Sequence, residues 1–393
     1  MNTFYRYCII FLVVLPTAYS FSQRNVFDSL LHQDIQRHYI VHLPPAYDSS
    51  LSVPTVIILH GGSGNYQTAQ GFTQMNLVSN QNQFLAIYPQ GAGIAPPGFS
   101  WADGRGTTAD QAGIDDVGFI SKLIDQLARE YNIDTNKVYA CGFSNGGFMT
   151  QKLACELPSK FAAIGGLGCS MDISLIKACN PMQAVPMAYF SGTADPEVPF
   201  TGGPMRNPAV LPIVAVDTAI QFWVKNNNCQ ESEAVITLPN TVTTDNSTVE
   251  LVKFTNCDCE ADVVFYKIIN GGHTWPGVPI ASLPQLGVTN EDIHASFELW
   301  DFFDSHNRCD RLTALEEPFD EVKINIYPNP AKERVFIESN ELVEEVVIFD
   351  LLGKMVLLDN QHTVNIKSLQ SGIYIVRLRL SNNRSKTFRL VKE

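Results

Sequence analysis

The sequence predicts an α/β architecture, with a mostly parallel central sheet buried on both faces, followed by a small all-β sandwich. Two observations predict the first part. Its apolar, β-branched runs are continuous rather than alternating, the signature of strands covered on both sides. Helical patterns lie between those runs, as right-handed crossovers require. A third observation predicts the second part: after residue 322 the texture changes to short strands separated by turn residues. At 393 residues, 45% of them apolar and 17% charged, the chain holds enough material for two or three domains and is too apolar for a disordered protein.

The elements follow in order. Arg6, an apolar run at 8–15 and the small-x-small triplet Ala18-Tyr19-Ser20 read as a signal peptide over residues 1–22. That run is shorter than the roughly 20 apolar residues a membrane span needs, and no later segment is long and apolar enough to replace it. Residues 25–310 form the α/β domain. Its strands are predicted at 53–60, 84–89, 137–142, 161–166, 185–190 and 263–269. Val117, Ile120, Leu123, Ile124 and Leu127 recur at helical spacing and predict a helix over 116–130, with Asp115 or Asp116 at its start. Further helices are predicted from Gly146 onward and over 216–225. The acidic stretch 311–322 reads as a linker. Residues 323–393 form the sandwich, with strands at 324–327, 335–338, 346–349 and 374–377.

Charge and cysteines narrow the setting. Lys plus Arg total 27 against 40 Asp plus Glu, a net charge of −13, which repels phosphate backbones and argues against nucleic acid as a partner. Of nine Cys, Cys8 lies in the signal segment. Export would permit disulfides among the other eight. Cys229 with Cys257 or Cys259 is the favoured pairing, since these flank a Thr/Asn-rich excursion. Cys257-x-Cys259 has no second close Cys or His pair, which argues against zinc. Cys141, inside a strand pattern, reads as a buried thiol.

The chemistry-bearing residues sit after strands. Gly142-Phe143-Ser144-Asn145-Gly146 is a G-x-S-x-G pattern between a predicted strand and a predicted helix. There the nucleophile occupies a strained turn, and its neighbours must be nearly free of side chain for strand and helix to approach. The alternative is an ordinary turn serine. His273 follows the strand at 263–269, in a glycine-flanked loop where an imidazole reaches the sheet edge. Asp195 follows the strand at 185–190, where a carboxylate can fix that imidazole's tautomer. Glu197 and Asp172 are the other candidate acids. The chain order Ser144, Asp195, His273 is that of α/β-hydrolases. Backbone amides of Gly62 and Ser63, after the strand at 53–60, together with that of Asn145, are the expected oxyanion donors. His60 is expected to be structural.

With these residues placed, the chain resembles secreted esterases related to polyhydroxybutyrate depolymerases and feruloyl esterases. The resemblance rests on LHGGSGN (59–65), SWADGR (100–105), DDVGFI (115–120), GFSNGG (142–147), SGTADPEVPF (191–200) and GGHTWPG (271–277). It implies an α/β-hydrolase fold and a Ser144–Asp195–His273 triad. It also implies Trp101 and Trp275 beside an acyl or aromatic pocket, with plain core packing as their alternative. From residue 323 the chain resembles the type A C-terminal sorting domain of type IX secretion, on YPNP (327–330), IFDLLGK (348–354), LQSGIY (369–374) and a basic end at 386–392. This implies the type IX machinery as a partner and a secreted or cell-surface location. All four Trp lie outside the tail, which argues against a carbohydrate-binding module there.

The expected activity is therefore serine carboxylic-ester hydrolysis needing no cofactor and no metal. Feruloyl or acetyl esters on plant polysaccharide are the first expected substrates, and polyhydroxybutyrate or another short-chain polyester the second. A prolyl-oligopeptidase-like peptidase is disfavoured, because too little chain precedes the first predicted sheet strand to form a propeller. A non-catalytic binder on a hydrolase scaffold is the rival from another class.

Overall fold

The computed structural model describes residues 24–232, 235–279, 283–309, 324–339, 342–350, 355–380 and 385–393. The segments read as signal peptide and as linker lie outside these residues. Two compact units divide between Arg311 and Leu312.

In the first unit we label the main strands β1 (Arg24–His32), β2 (Ile35–Leu43), β3 (Val53–Leu59), β4 (Leu85–Pro89), β5 (Ile133–Phe143), β6 (Ala163–Leu167), β7 (Met187–Gly192), β8 (Thr248–Thr255) and β9 (Val263–Ile269). They lie in the order β1-β2-β4-β3-β5-β6-β7-β9-β8. The run from β4 to β9 is parallel. The outer pairs β1·β2, β2·β4 and β8·β9 are antiparallel. Six of these strands fall where the sequence predicts them. The hairpin β1–β2 and strand β8 carry polar residues among the apolar ones and escape a search for continuous apolar runs.

The parallel strands are covered on both faces because neighbouring residues point oppositely. Ile57, Leu59, Ile87 and Ala140 join one buried cluster, while Val56, Ile58, Ala86 and Cys141 join another. The first face carries helices spanning Asp116–Glu130, Asn145–Glu156 and Val216–Asn226, the second those spanning Tyr66–Thr73, Met75–Asn82 and Ala295–Asp304. Asp115 caps the Asp116–Glu130 helix by accepting the Gly118 N–H at 2.8 Å. Asp116 instead forms a buried ion pair with Arg37 and accepts the Ala102 N–H at 2.7 Å, which fixes the 101–105 segment. Burial raises the Asp116 carboxyl above the usual carboxylate range despite that cation.

Disulfides join Cys155 to Cys179, Cys229 to Cys257 and Cys259 to Cys309. The expected staple on the Thr/Asn-rich excursion is therefore Cys229–Cys257. Cys141 and Cys169 are free, buried thiols.

The second unit holds a three-stranded and a four-stranded antiparallel sheet among the described residues. Val335, Ile337 and Val364 from one and Val346, Val376, Leu378 and Leu390 from the other share a single buried cluster. They pack as a small sandwich.

Candidate active site

Ligand sites in open α/β sheets lie beyond the carboxyl ends of the parallel strands. Here the loops after β3, β5, β7 and β9 deliver Gly62 and Ser63, Ser144, Asp195 and His273 to that edge. Ser144 occupies φ 54°, ψ −120°, between β5 and the helix Asn145–Glu156. Such a conformation is costly for a residue with a side chain and marks a nucleophile elbow. The flanking glycines are required by contact distance. A Cβ on Gly146 would sit 2.3 Å from the Leu59 carbonyl oxygen, and one on Gly142 2.4 Å from that of Gly146.

His273 and Asp195 are joined. The imidazole Nδ1 lies 2.7 Å from Asp195 Oδ2, with side chains only 6% and 3% exposed. Asp195 Oδ1 accepts the N–H groups of Glu197 and Val198, each at 2.8 Å, so the carboxylate is held from both oxygens. An Nδ1–H donated to this carboxylate leaves Nε2 as the free base. The ring packs against Phe143 at 4.7 Å. Ser144 and His273 line one cavity of about 600 Å³. Ser144 Oγ has no hydrogen-bond partner among the described residues. Hydrogen bonds of this kind often tighten only around substrate.

The other candidate acids are occupied elsewhere. Glu197 pairs with Arg206. Asp172 accepts the N–H groups of Ser174 and Leu175, capping a short helix.

The glycine loop after β3 lies against the elbow. A Cβ on Gly61 would be 3.6 Å from Ser144 Cβ, one on Gly62 3.7 Å from Asn145 Cβ, and Ser63 has φ 61°. The Gly64 N–H is taken by the Gly61 carbonyl. Those of Gly62, Ser63 and Asn145 have no acceptor among the described residues, and the helix beginning at Asn145 adds its positive end. These amides can receive an oxyanion.

His60 is structural. Its Nδ1 lies 2.7 Å from the Gly61 carbonyl and its Nε2 accepts the Gly91 N–H at 3.0 Å. Burial pushes this imidazole down to about 4. In the unfolded chain it titrates near about 6.5. Between those values the unfolded state holds more protons, so stability is full above about 6.5 and falls as pH drops toward 4, by up to about 3 kcal/mol from this group. His42 and His306, also lowered by burial, act in the same sense. Thermal melts across this range should show a flatter pH dependence in His60→Gln than in wild type. Equal slopes would remove His60 from the account.

The two tryptophans require a correction. Trp101 and Trp275 are both 0% exposed and neither lines the cavity. Trp101 Nε1–H donates to the His60 carbonyl at 2.9 Å, and Trp275 Nε1–H to Ser296 Oγ at 3.1 Å. Each ring spends its area on packing and its polar edge on an internal bond. The cavity's aromatic wall is instead Phe72 and Phe143, with Leu283 and Leu286.

Sequence reasoning also missed Gly168. It has φ 54°, and a Cβ there would lie 3.0 Å from His273 Cε1 and 3.1 Å from Nδ1. The glycine-rich segment Gly165-Gly166-Leu167-Gly168 was the available signal. Gly168→Ala should displace the imidazole and lower kcat/KM about 10- to 100-fold, with a smaller effect on the melting temperature. A folded variant with wild-type kinetics would show that the ring has room to spare.

Residues 37–220 match the family Esterase PHB depolymerase, and residues 325–393 match the Secretion system C-terminal sorting domain. The chain is 26% identical over 259 residues to the "Putative esterase NocK" of Nocardia uniformis subsp. tsuyamanensis, covering 63% of this chain and 73% of that one. It is 32% identical over 203 residues to a "Probable feruloyl esterase C" of Aspergillus clavatus, covering 50% and 63%. The chain spans less than two thirds of the length of several curated relatives it matches. Among solved structures, an acetyl xylan esterase from Aspergillus awamori aligns with a TM-score of 0.45 at 16% identity, covering 72% of this chain and 99% of that one.

Proposed function

We propose, from the premise that residues 37–220 are an esterase domain of the PHB depolymerase family and residues 325–393 a secretion sorting domain, that this secreted ester hydrolase cleaves feruloyl or acetyl esters of plant polysaccharide through Ser144, Asp195 and His273. One observation carries the reading of the site. A buried Asp195–His273 pair at 2.7 Å opens on the same cavity as a serine held in the elbow conformation.

In this mechanism His273 Nε2 takes the Ser144 proton as Oγ attacks the ester carbonyl. Asp195 holds the tautomer and stabilises the imidazolium. The amides of Gly62, Ser63 and Asn145 receive the oxyanion, and each such donor is worth about 100- to 1000-fold in rate. The imidazolium gives its proton to the departing alcohol, leaving an acyl-enzyme. Water, deprotonated by His273, then releases the acid and restores the serine.

The substrate class is supported by the similar proteins, among them feruloyl esterases and a bifunctional acetylxylan esterase/xylanase. The apolar wall of Phe72, Phe143, Leu283 and Leu286 suits an aromatic acyl ring. A short-chain polyester is the second reading, favoured by the match to the PHB depolymerase family. Offering methyl ferulate, acetylated xylan and polyhydroxybutyrate side by side to the purified protein separates the two. Turnover of either of the first two above the polyester supports the polysaccharide reading, and turnover of the polyester alone overturns it.

A further inference from the structure

Arg105 lines the cavity yet is only 5% exposed. Its guanidinium is fixed on one face and one edge. The face lies 3.5 Å over the Phe148 ring. On the edge, Nε and Nη2 donate to Asp103 Oδ2 at 3.0 and 2.7 Å, while the Arg105 backbone N–H donates to Oδ1 at 3.0 Å. Asp103 is held in turn by Asn145 Nδ2 at 2.6 Å, so the guanidinium is anchored to the residue that follows Ser144.

The third nitrogen, Nη1, has no hydrogen-bond partner among the described residues. Nor is it sealed from solvent, as Arg37 Nη1 is. A rigid donor on the cavity wall therefore awaits an acceptor. Covering such a donor without giving it a partner is unfavourable. Charge narrows what the acceptor is. Asp103 cancels the guanidinium, Glu197 pairs with Arg206, and Asp195 faces His273. The wall offers N–H groups without net positive charge, which suits a neutral oxygen better than a carboxylate.

We propose that Arg105 Nη1 is a specificity-determining donor, selecting esters that carry a neutral acceptor oxygen near the scissile bond. This deepens the hydrolase reading above and rests on it. The oxygen comes either from the acyl group, as a ring hydroxyl or methoxy, or from the alcohol, as a sugar hydroxyl. A site built to hydrogen-bond such an oxygen discriminates strongly against the analogue lacking it, because its own donor is then left unpaired.

Two substrate pairs separate the sources. Methyl ferulate against methyl cinnamate varies the acyl oxygens. A monoacetylated methyl xyloside against cyclohexyl acetate varies those of the alcohol. Wild type should favour the oxygenated member of one pair by about tenfold or more in kcat/KM. Arg105→Lys keeps a cation against Asp103 but lacks the forked third nitrogen. It should bring that ratio severalfold closer to one. The pair Asp103→Asn with Arg105→Met, which avoids an orphaned buried carboxylate, should do the same and decides the matter should the lysine variant fail to fold. An unchanged ratio in a folded variant, or no preference by wild type in either pair, would overturn the proposal. A wild-type protein inactive on all four esters would count against ester hydrolysis at this site instead.

Discussion

Ser144→Ala should abolish the acyl-enzyme burst with 4-nitrophenyl acetate and lower kcat by about 10⁴- to 10⁶-fold. The substitution removes only Oγ. That oxygen has no hydrogen-bond partner among the described residues, so no internal contact is lost with it. The backbone of residue 144 stays anchored, its N–H donating to the Leu167 carbonyl at 2.8 Å and its carbonyl accepting the Phe148 N–H at 2.9 Å. Melting temperature should therefore change little, and the loss reads out chemistry alone. No burst in wild type, and no difference in turnover between it and the variant, would leave the non-catalytic binder as the better description.

Asp195→Asn should cost about 10⁴-fold in kcat. The geometry gives the reason. Oδ1 serves the Glu197 and Val198 N–H groups, which an amide oxygen can still do. The amide nitrogen then faces His273 Nδ1 from 2.7 Å, where the carboxylate oxygen stood. It is a donor and demands that Nδ1 accept, which moves the ring proton to Nε2. The imidazole then presents N–H rather than a lone pair to Ser144, and the base is lost with the fold intact. A small effect, with Glu197→Gln or Asp172→Asn costing more, would reassign the acid.

How far the sequence could be read follows from what each residue depends on. Ser144, Asp195 and His273 are each tied to the end of a continuous apolar strand and to nearby glycine or proline. Both signals are local, so their meeting at one sheet edge was legible once the sheet was. The helices Tyr66–Thr73 and Met75–Asn82 were not, because their sequences are rich in Asn, Gln and Thr and their apolar stripe is thin. The capping box of Asn65 and Thr68 was the clue available there. Trp101 and Trp275 failed for another reason. A motif fixes that a large ring lies near the site, but not which way it points, and both rings turn into the packed layers. The motif SWADGR holds Arg105 but gives it no role. Its partners are Asp103 in its own turn and the Phe148 ring, Asn145 holds Asp103 in place, and only the tertiary structure brings this side chain to the cavity wall.

The Cys259–Cys309 bond bears on how the esterase unit answers a pull. The link closes a covalent ring over residues 259–309, within which lie β9, His273 and the Ala295–Asp304 helix. Tension drawn on the polypeptide beyond residue 309 passes straight across the sulfur bridge to Cys259. The stretch carrying His273 is mechanically bypassed, and tugging on the tail leaves it unloaded.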